Sequence, residues 1–145
     1  MKAKSDFPTV GETLPEGQRP DGTPFRVLIV DDSMFVAKQL NQILTSVGFE
    51  VVATAADGEA GLEKYKELFP NIDLVTMDIT MPKMDGITAL EKIIEFDKNA
   101  TVVMVSALGK NDLVKKSLLT GAKNYIVKPL DRKKVLERIV TSLNK

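Results

Sequence analysis

Residues 26–33 read Arg-Val-Leu-Ile-Val-Asp-Asp-Ser (RVLIVDDS), and this stretch decides the architecture. Residues 26–30 form a short β-branched run without polar alternation, the pattern of a strand buried on both faces. Strands of that kind belong to parallel sheets covered by helices on each side, so an α/β fold is expected. Two aspartates then stand at the strand's carboxyl end, and Ser33 is placed to cap a following helix.

The same texture repeats outward from this point. A helical stripe at Met34, Ala37, Leu40, Ile43, Leu44 and Val47 ends at Gly48. Strand patterns follow at 49–55, 73–77, 101–105 and 123–127. Helical patterns fall between and after them at 58–69, 86–96, 111–119 and 131–143. In the second helix Leu62, Tyr65, Leu68 and Phe69 share a side; in the last, Val135, Leu136, Ile139, Val140 and Leu143 face inward. Five strands, each followed by a helix, give a (βα)5 pattern and a doubly wound parallel five-stranded sheet. In such sheets ligands bind at the carboxyl ends of the strands, near the switch in strand order.

That rim gathers chemistry. Asp31 and Asp32 end the first strand, Asp78 the third, Ser106 the fourth, and Lys128 the fifth, just before Pro129. Each alone has a plain structural explanation as a cap, a loop start or a turn residue. Together, at four of five strand ends, they predict a site. Three carboxylates in one place repel unless a cation is bound or one takes a proton. Mg2+ suits them because it takes oxygen ligands and retains waters and phosphate oxygens. Lys128 offers a compact charge for a phosphoryl oxygen or a carboxylate, and Ser106 a hydroxyl for a phosphoryl oxygen. A carboxylate beyond those the metal needs is free to act as a nucleophile and form an acyl phosphate. The pattern reads as Mg2+-assisted phosphoryl transfer onto aspartate.

Composition narrows the chemistry further. The 145 residues, one domain's worth, contain no Cys, no His and no Trp. Disulfides, thiolate nucleophiles, imidazole bases and Cys- or His-ligated metals are thereby excluded. The formal net charge is zero, 20 basic against 20 acidic residues, which argues against general nucleic-acid or membrane-surface binding. The apolar runs are strand-sized and none follows the N-terminal lysines. Neither a transmembrane helix nor a secretory signal is expected, and the reading is cytoplasmic. The charge is unevenly spread: residues 108–145 hold ten basic and three acidic side chains, +7, which leaves −7 for 1–107. The basic end is either a solvated helical face or a docking face for an acidic or amphipathic partner element.

Residues 1–24 hold four of the seven prolines and three of the nine glycines, with no helical or strand period. They read as an N-terminal arm ahead of a domain at 25–145. The arm is either a disordered tail or a segment that packs on the domain or docks a partner through Phe7, Val10 and Leu14.

Four motifs, VLIVDDS (27–33), MDITMPKMDG (77–86), MVSALG (104–109) and YIVKPL (125–130), carry a resemblance. Residues 25–145 resemble the receiver domain of two-component response regulators and, in their brevity, the CheY-like single-domain chemotaxis regulators. The resemblance implies the flavodoxin-like strand order 2-1-3-4-5. It implies that Asp78 is the phosphoacceptor and that Asp31 and Asp32 bind Mg2+, Asp32 more directly and Asp31 largely through water. The backbone carbonyl of Thr80 would add a ligand. Ser106 matches the switch hydroxyl, Lys128 the phosphate-binding lysine, and Tyr125 the aromatic that turns inward on activation. Implied partners are a histidine kinase as phosphodonor, a phosphorylation-dependent target such as the flagellar motor switch, and a phosphatase. With no histidine in the chain, a phosphohistidine donor must come from another protein.

Departures from the family pattern are modest. Ser stands at 106 where Thr is commoner. Thr80 and Leu108 occupy places that modulate access for dephosphorylation, and the arm lies outside the pattern. The chain ends directly after its last helix, so no DNA-binding or enzymatic output domain is expected. The chief rival reading is a phosphorelay intermediate that passes its phosphoryl group to a partner histidine. An aspartate-nucleophile phosphatase ranks lower, since Thr80 stands where such enzymes carry a second Asp and no cap domain is present. The expected catalysis is limited to the chain's own phosphorylation and dephosphorylation.

Overall fold

The computed structural model describes residues 16–144. The elements alternate along the chain as β1 (Arg26–Val30), α1 (Met34–Thr45), β2 (Glu50–Ala55), α2 (Gly58–Leu68), β3 (Leu74–Met77), α3 (Gly86–Phe96), β4 (Val102–Ser106), α4 (Asn111–Thr120), β5 (Asn124–Val127) and α5 (Arg132–Leu143). All four strand pairings are parallel, and the order across the sheet is β2-β1-β3-β4-β5. The doubly wound sheet expected from the sequence is therefore present, with its switch point between β1 and β3. Sheets of this strand order are standard examples of the rule that places ligands at that point.

Alternate strand residues serve two separate cores, which explains why the strands read as continuous apolar runs. Leu28, Val30, Val75, Met77, Val102 and Met104 pack with Tyr65 of α2 and Ala89, Leu90 and Ile93 of α3, joined at the edge by Leu113 and Val114 of α4. Val27, Ile29, Leu74, Val103, Val105 and Ile126 pack on the other face with Leu40 and Leu44 of α1 and Val135, Leu136 and Ile139 of α5. Each Val, Leu, Ile or Met among them contributes roughly 1.5–3 kcal/mol on burial.

Helix starts follow their caps. Ser33, Asp57, Asp85 and Asp131 each accept a hydrogen bond from a backbone N–H three residues on. Two side chains depart from the expected inward stripes. Met34 is 75% exposed in the first turn of α1. Phe69 is 44% exposed because α2 stops at Leu68, and its ring instead meets Phe96 edge-on with centroids 5.1 Å apart. Strand β4 also extends one residue further than its apolar pattern. Ser106 joins the ladder opposite Val127, and its carbonyl accepts from Lys128 N–H at 2.9 Å.

The stretch just before β1 is folded against the domain. Gly17 N–H donates to the Val47 carbonyl and Phe25 N–H to the Gly17 carbonyl, both at 2.8 Å, and Gln18 bridges antiparallel to Pro24. Arg19 pairs with Asp73 at 2.5 Å and stacks over Phe25 at 4.8 Å. Asp73 also accepts from Arg26 N–H at 2.8 Å. Residues 16–24 thus form a clasp across the amino ends of β1 and β3, with no break in contacts at residue 24. Phe7, Val10 and Leu14 lie outside the described residues.

Candidate functional site

The carboxyl ends of β1 and β3 lie side by side, and their first residues beyond the sheet are acidic. Asp31 and Asp78 are buried, 4% and 6% exposed, whereas Asp32 is open to solvent. Each of the three offers a carboxylate oxygen within 4.8 Å of the others. The three thus meet on the rim where the strand ends place them.

The backbone fixes each carboxylate. Asp78 N–H donates to the Val30 carbonyl at 2.9 Å and Asp31 N–H to Ala55 at 3.0 Å, so both residues continue the ladder by one step. Asp31 Oδ1 accepts from Ser33 N–H, and Asp78 Oδ1 accepts from Ile79 N–H, each at 2.8 Å. Asp31 Oδ2 is buried and receives no well-directed hydrogen bond. Burial pushes the Asp78 carboxyl above its ordinary range, and the Asp31 charge adds to this. Lys128 opposes the shift: its Nζ lies 3.1 Å from Asp31 Oδ2 and 3.5 Å from Asp78 Oδ2. Lys128 reaches the rim from the end of β5.

Ser106 ends β4 and is 1% exposed, its hydroxyl oxygen accepting from Leu108 N–H at 3.1 Å. Tyr125 lies inward, 4% exposed, and its hydroxyl donates to the Leu108 carbonyl. Burial pushes the phenol upward, and the neighbouring Ser106 hydroxyl pulls the other way. Ser106 and Tyr125 therefore grip the same residue, Leu108, one through its N–H and the other through its carbonyl. Thr80 stands exposed two residues beyond Asp78 in the loop between β3 and α3.

Residues 27–140 match the family model for the response regulator receiver domain. This chain belongs to that family. The receiver is 71% identical to the chemotaxis protein CheY of Treponema pallidum over 143 residues, 99% of each chain. It is 51% identical to CheY of Bacillus subtilis over 119 residues, 82% of this chain and 98% of that one. Among solved structures, a CheX-CheY-BeF3-Mg2+ complex from Borrelia burgdorferi matches at 62% identity and a TM-score of 0.90, covering 92% of this chain and 100% of that one. The receiver's function is that of a chemotaxis response regulator in two-component signalling. Among the described residues, no helix is long and apolar enough to cross a membrane.

Two glycines around the receiver's rim escaped the sequence reading. In the sequence Gly86 marks only a helix start, yet a Cβ there would stand 1.8 Å from the Asp78 carbonyl oxygen. Gly58 has the same character, facing the Met84 carbonyl. The available signal was the repeated Asp-Gly doublet at 57–58 and 85–86, in which a cap is followed by a residue without a side chain.

Proposed function

We propose that Asp78 accepts a phosphoryl group from a histidine kinase, with Mg2+ held by Asp31, Asp32, Asp78 and the backbone carbonyl of Thr80. The observation that carries this reading is the convergence of three carboxylates, two of them buried, with the Lys128 ammonium as the only cation beside Asp31 Oδ2 among the described residues. A compact set of hard oxygen donors fits Mg2+ better than any softer ion, and the Borrelia relative was solved with Mg2+ and BeF3. When bound, the ion supplies charge neutralisation for the carboxylates and for the transferring phosphoryl oxygens.

The chain's residues divide the remaining work. Ile79 N–H holds Asp78 Oδ1, which leaves Oδ2 as the attacking atom. Oδ2 forms a bond to phosphorus as the phosphorus–nitrogen bond of the donor phosphoimidazole breaks. The electron pair returns to the imidazole nitrogen, which takes a proton from solvent. Lys128, beside Oδ2, meets the charge of the new acyl phosphate. Ser106 can donate its hydroxyl proton to a phosphoryl oxygen while Tyr125 keeps the loop at Leu108 closed behind it. Phosphorylation thereby favours one of two loop positions and alters the face of α4, β5 and α5.

That face carries the basic excess of residues 108–145 and exposes Leu118, Leu119 and Val127. It suits a target with an acidic or amphipathic segment, which we assign to the flagellar motor switch. We extend to this chain a partner of the CheX kind and a phosphatase. Apart from its own phosphorylation and dephosphorylation we assign it no enzymatic activity, and we place it in the cytoplasm with its kinase.

The test is incubation with a small acyl phosphate and Mg2+, followed by intact-mass measurement. The wild type gains one phosphoryl group, whereas Asp78→Asn and chelated wild type gain none. Equal labelling of the variant, or labelling indifferent to chelation, overturns the assignment.

A further inference from the structure

The loop that leads from Asp78 to α3 is held from two sides by glycines. At its base, Gly86 N–H donates to the Ile79 carbonyl at 2.8 Å. Its outer end is held by a different element. Gly58, the first residue of α2, donates its N–H to the Met84 carbonyl at 3.1 Å. A Cβ on Gly58 would lie 2.2 Å from that oxygen and 2.9 Å from its carbon. The backbone of Gly58 is not in the left-handed region, so closeness of approach, and not conformation, is what demands glycine.

The loop between these two anchors is tightly wound. Lys83 adopts φ 67°, which a non-glycine residue holds only when its surroundings impose it. Met84 N–H turns back to the Pro82 carbonyl at 2.7 Å. The first turn of α2 is itself fixed, because Asp57 accepts from Ala60 N–H at 2.7 Å. The helix therefore presents the Gly58 N–H to the loop from a rigid support.

We infer that Gly58 is a positioning residue for the metal site, clamping from outside the loop that carries Thr80. This rests on the reading that Thr80 and the three carboxylates hold Mg2+. Any side chain at 58 must drive the Met84 carbonyl from 2.2 Å to at least 3.0 Å from the new Cβ. With the base pinned by Gly86, the displacement is taken up by the residues between them. Mg2+ tolerates such movement poorly, because its ligands must sit in near-octahedral geometry at about 2.0–2.1 Å.

The test is calorimetric titration of Mg2+ into wild type, Gly58→Ala and Gly17→Ala, with thermal unfolding of each in chelator. Gly17 is the control: it is buried and its added Cβ would be crowded to the same degree, 2.2 Å from the Phe49 backbone nitrogen, but at the amino ends of the strands and away from the loop. Gly58→Ala is expected to bind Mg2+ about tenfold more weakly or worse, the usual penalty for disturbing the support of a metal ligand, while Gly17→Ala loses thermal stability and keeps its affinity. Wild-type affinity in Gly58→Ala, or an equal loss in Gly17→Ala, overturns the clamp and leaves the metal assignment standing. A wild type that binds no Mg2+ overturns the metal assignment itself. Should Gly58→Ala fail to fold, Asp57→Ala loosens the same turn without adding bulk. A several-fold loss of Mg2+ affinity then supports the clamp, and wild-type affinity overturns it.

Discussion

Lys128 Nζ lies 3.1 Å from Oδ2 of Asp31, nearer to that carboxylate than to Asp78 at 3.5 Å. Without a phosphoryl group, the ammonium serves first as counter-ion to the most buried acid on the rim. Replacing it strands that charge. Lys128→Met should lose about 2 kcal/mol of stability in chelator, less than a fully buried pair because the lysine side chain remains partly solvated. Added Mg2+ should recover part of the loss. Labelling at Asp78 should persist while target binding fails. Thermal unfolding with and without Mg2+, paired with intact mass, checks all three statements.

Asp78 carries a pH signature whose sign is fixed by its environment. Its folded carboxyl is raised above the ordinary value of 3.8 by burial and by Asp31. A raised carboxyl contributes stability that is complete below the unfolded pKa and is lost as pH rises through the folded one. At neutral pH the ionised group is therefore a burden in the absence of metal. Asp78→Asn should melt at a higher temperature than wild type at pH 7 in chelator. The difference should shrink as pH falls toward 3.8. A melting series across that range, with unchanged buffer ions, reads it directly.

Ser106 and Tyr125 hold opposite sides of Leu108, so their removal should free the same loop. Tyr125→Phe deletes the donor to the Leu108 carbonyl and should cost about 1 kcal/mol. Ser106→Ala deletes the acceptor for Leu108 N–H and should raise its hydrogen-exchange rate. Exchange at the core strand β3 should not change. Amide exchange by mass spectrometry or NMR distinguishes a local opening from global loss of stability.

The clasp at residues 16–24 lies at the amino ends of the strands, the opposite pole from the acidic rim. Arg19→Ala removes the contact to Asp73, the hydrogen bond to the Pro24 carbonyl at 3.0 Å and the stacking on Phe25. A loss of about 1 kcal/mol and faster cleavage by a protease within 16–24 are expected. Mg2+ affinity and labelling at Asp78 should match the wild type. Limited proteolysis beside the labelling assay tests the separation of the two poles.

How much of this was legible in the chain follows from the range of each interaction. The strands declared themselves because a doubly covered strand admits little but Val, Ile, Leu and Met, and RVLIV is such a run. The three aspartates, Ser106 and Lys128 could be placed on one rim because each lies at or just beyond the carboxyl end of a strand, and strand ends in a parallel sheet share an edge. Met34 and Phe69 misled because helical periodicity does not say where a helix rises clear of the sheet. The clasp stayed hidden for another reason. Arg19 and Asp73 are 54 positions apart, and nothing local marks Arg19 as the partner of a distant acid. Prolines and glycines around it gave the signature of a loose arm, although the same residues supply the turn that folds it back. The approach of Gly58 to Met84 is likewise a contact between elements. A doublet hints at it, but only the packing of α2 beside the loop reveals which carbonyl is meant.

The absence of tryptophan leaves two tyrosines, Tyr65 and Tyr125, as the dominant natural fluorophores of the chain. Tyr65 is buried between α2 and α3, its hydroxyl donating to Asp97 at 2.7 Å, remote from the loops that respond to the rim. Tyr125 donates its hydroxyl to the carbonyl of Leu108, the loop residue whose N–H donates to Ser106. The protein therefore contains a built-in reference and a built-in reporter. A change in ultraviolet emission on phosphorylation belongs to Tyr125, and Tyr65→Phe isolates it. The state of the switch can then be followed in real time with no dye, tag or introduced tryptophan.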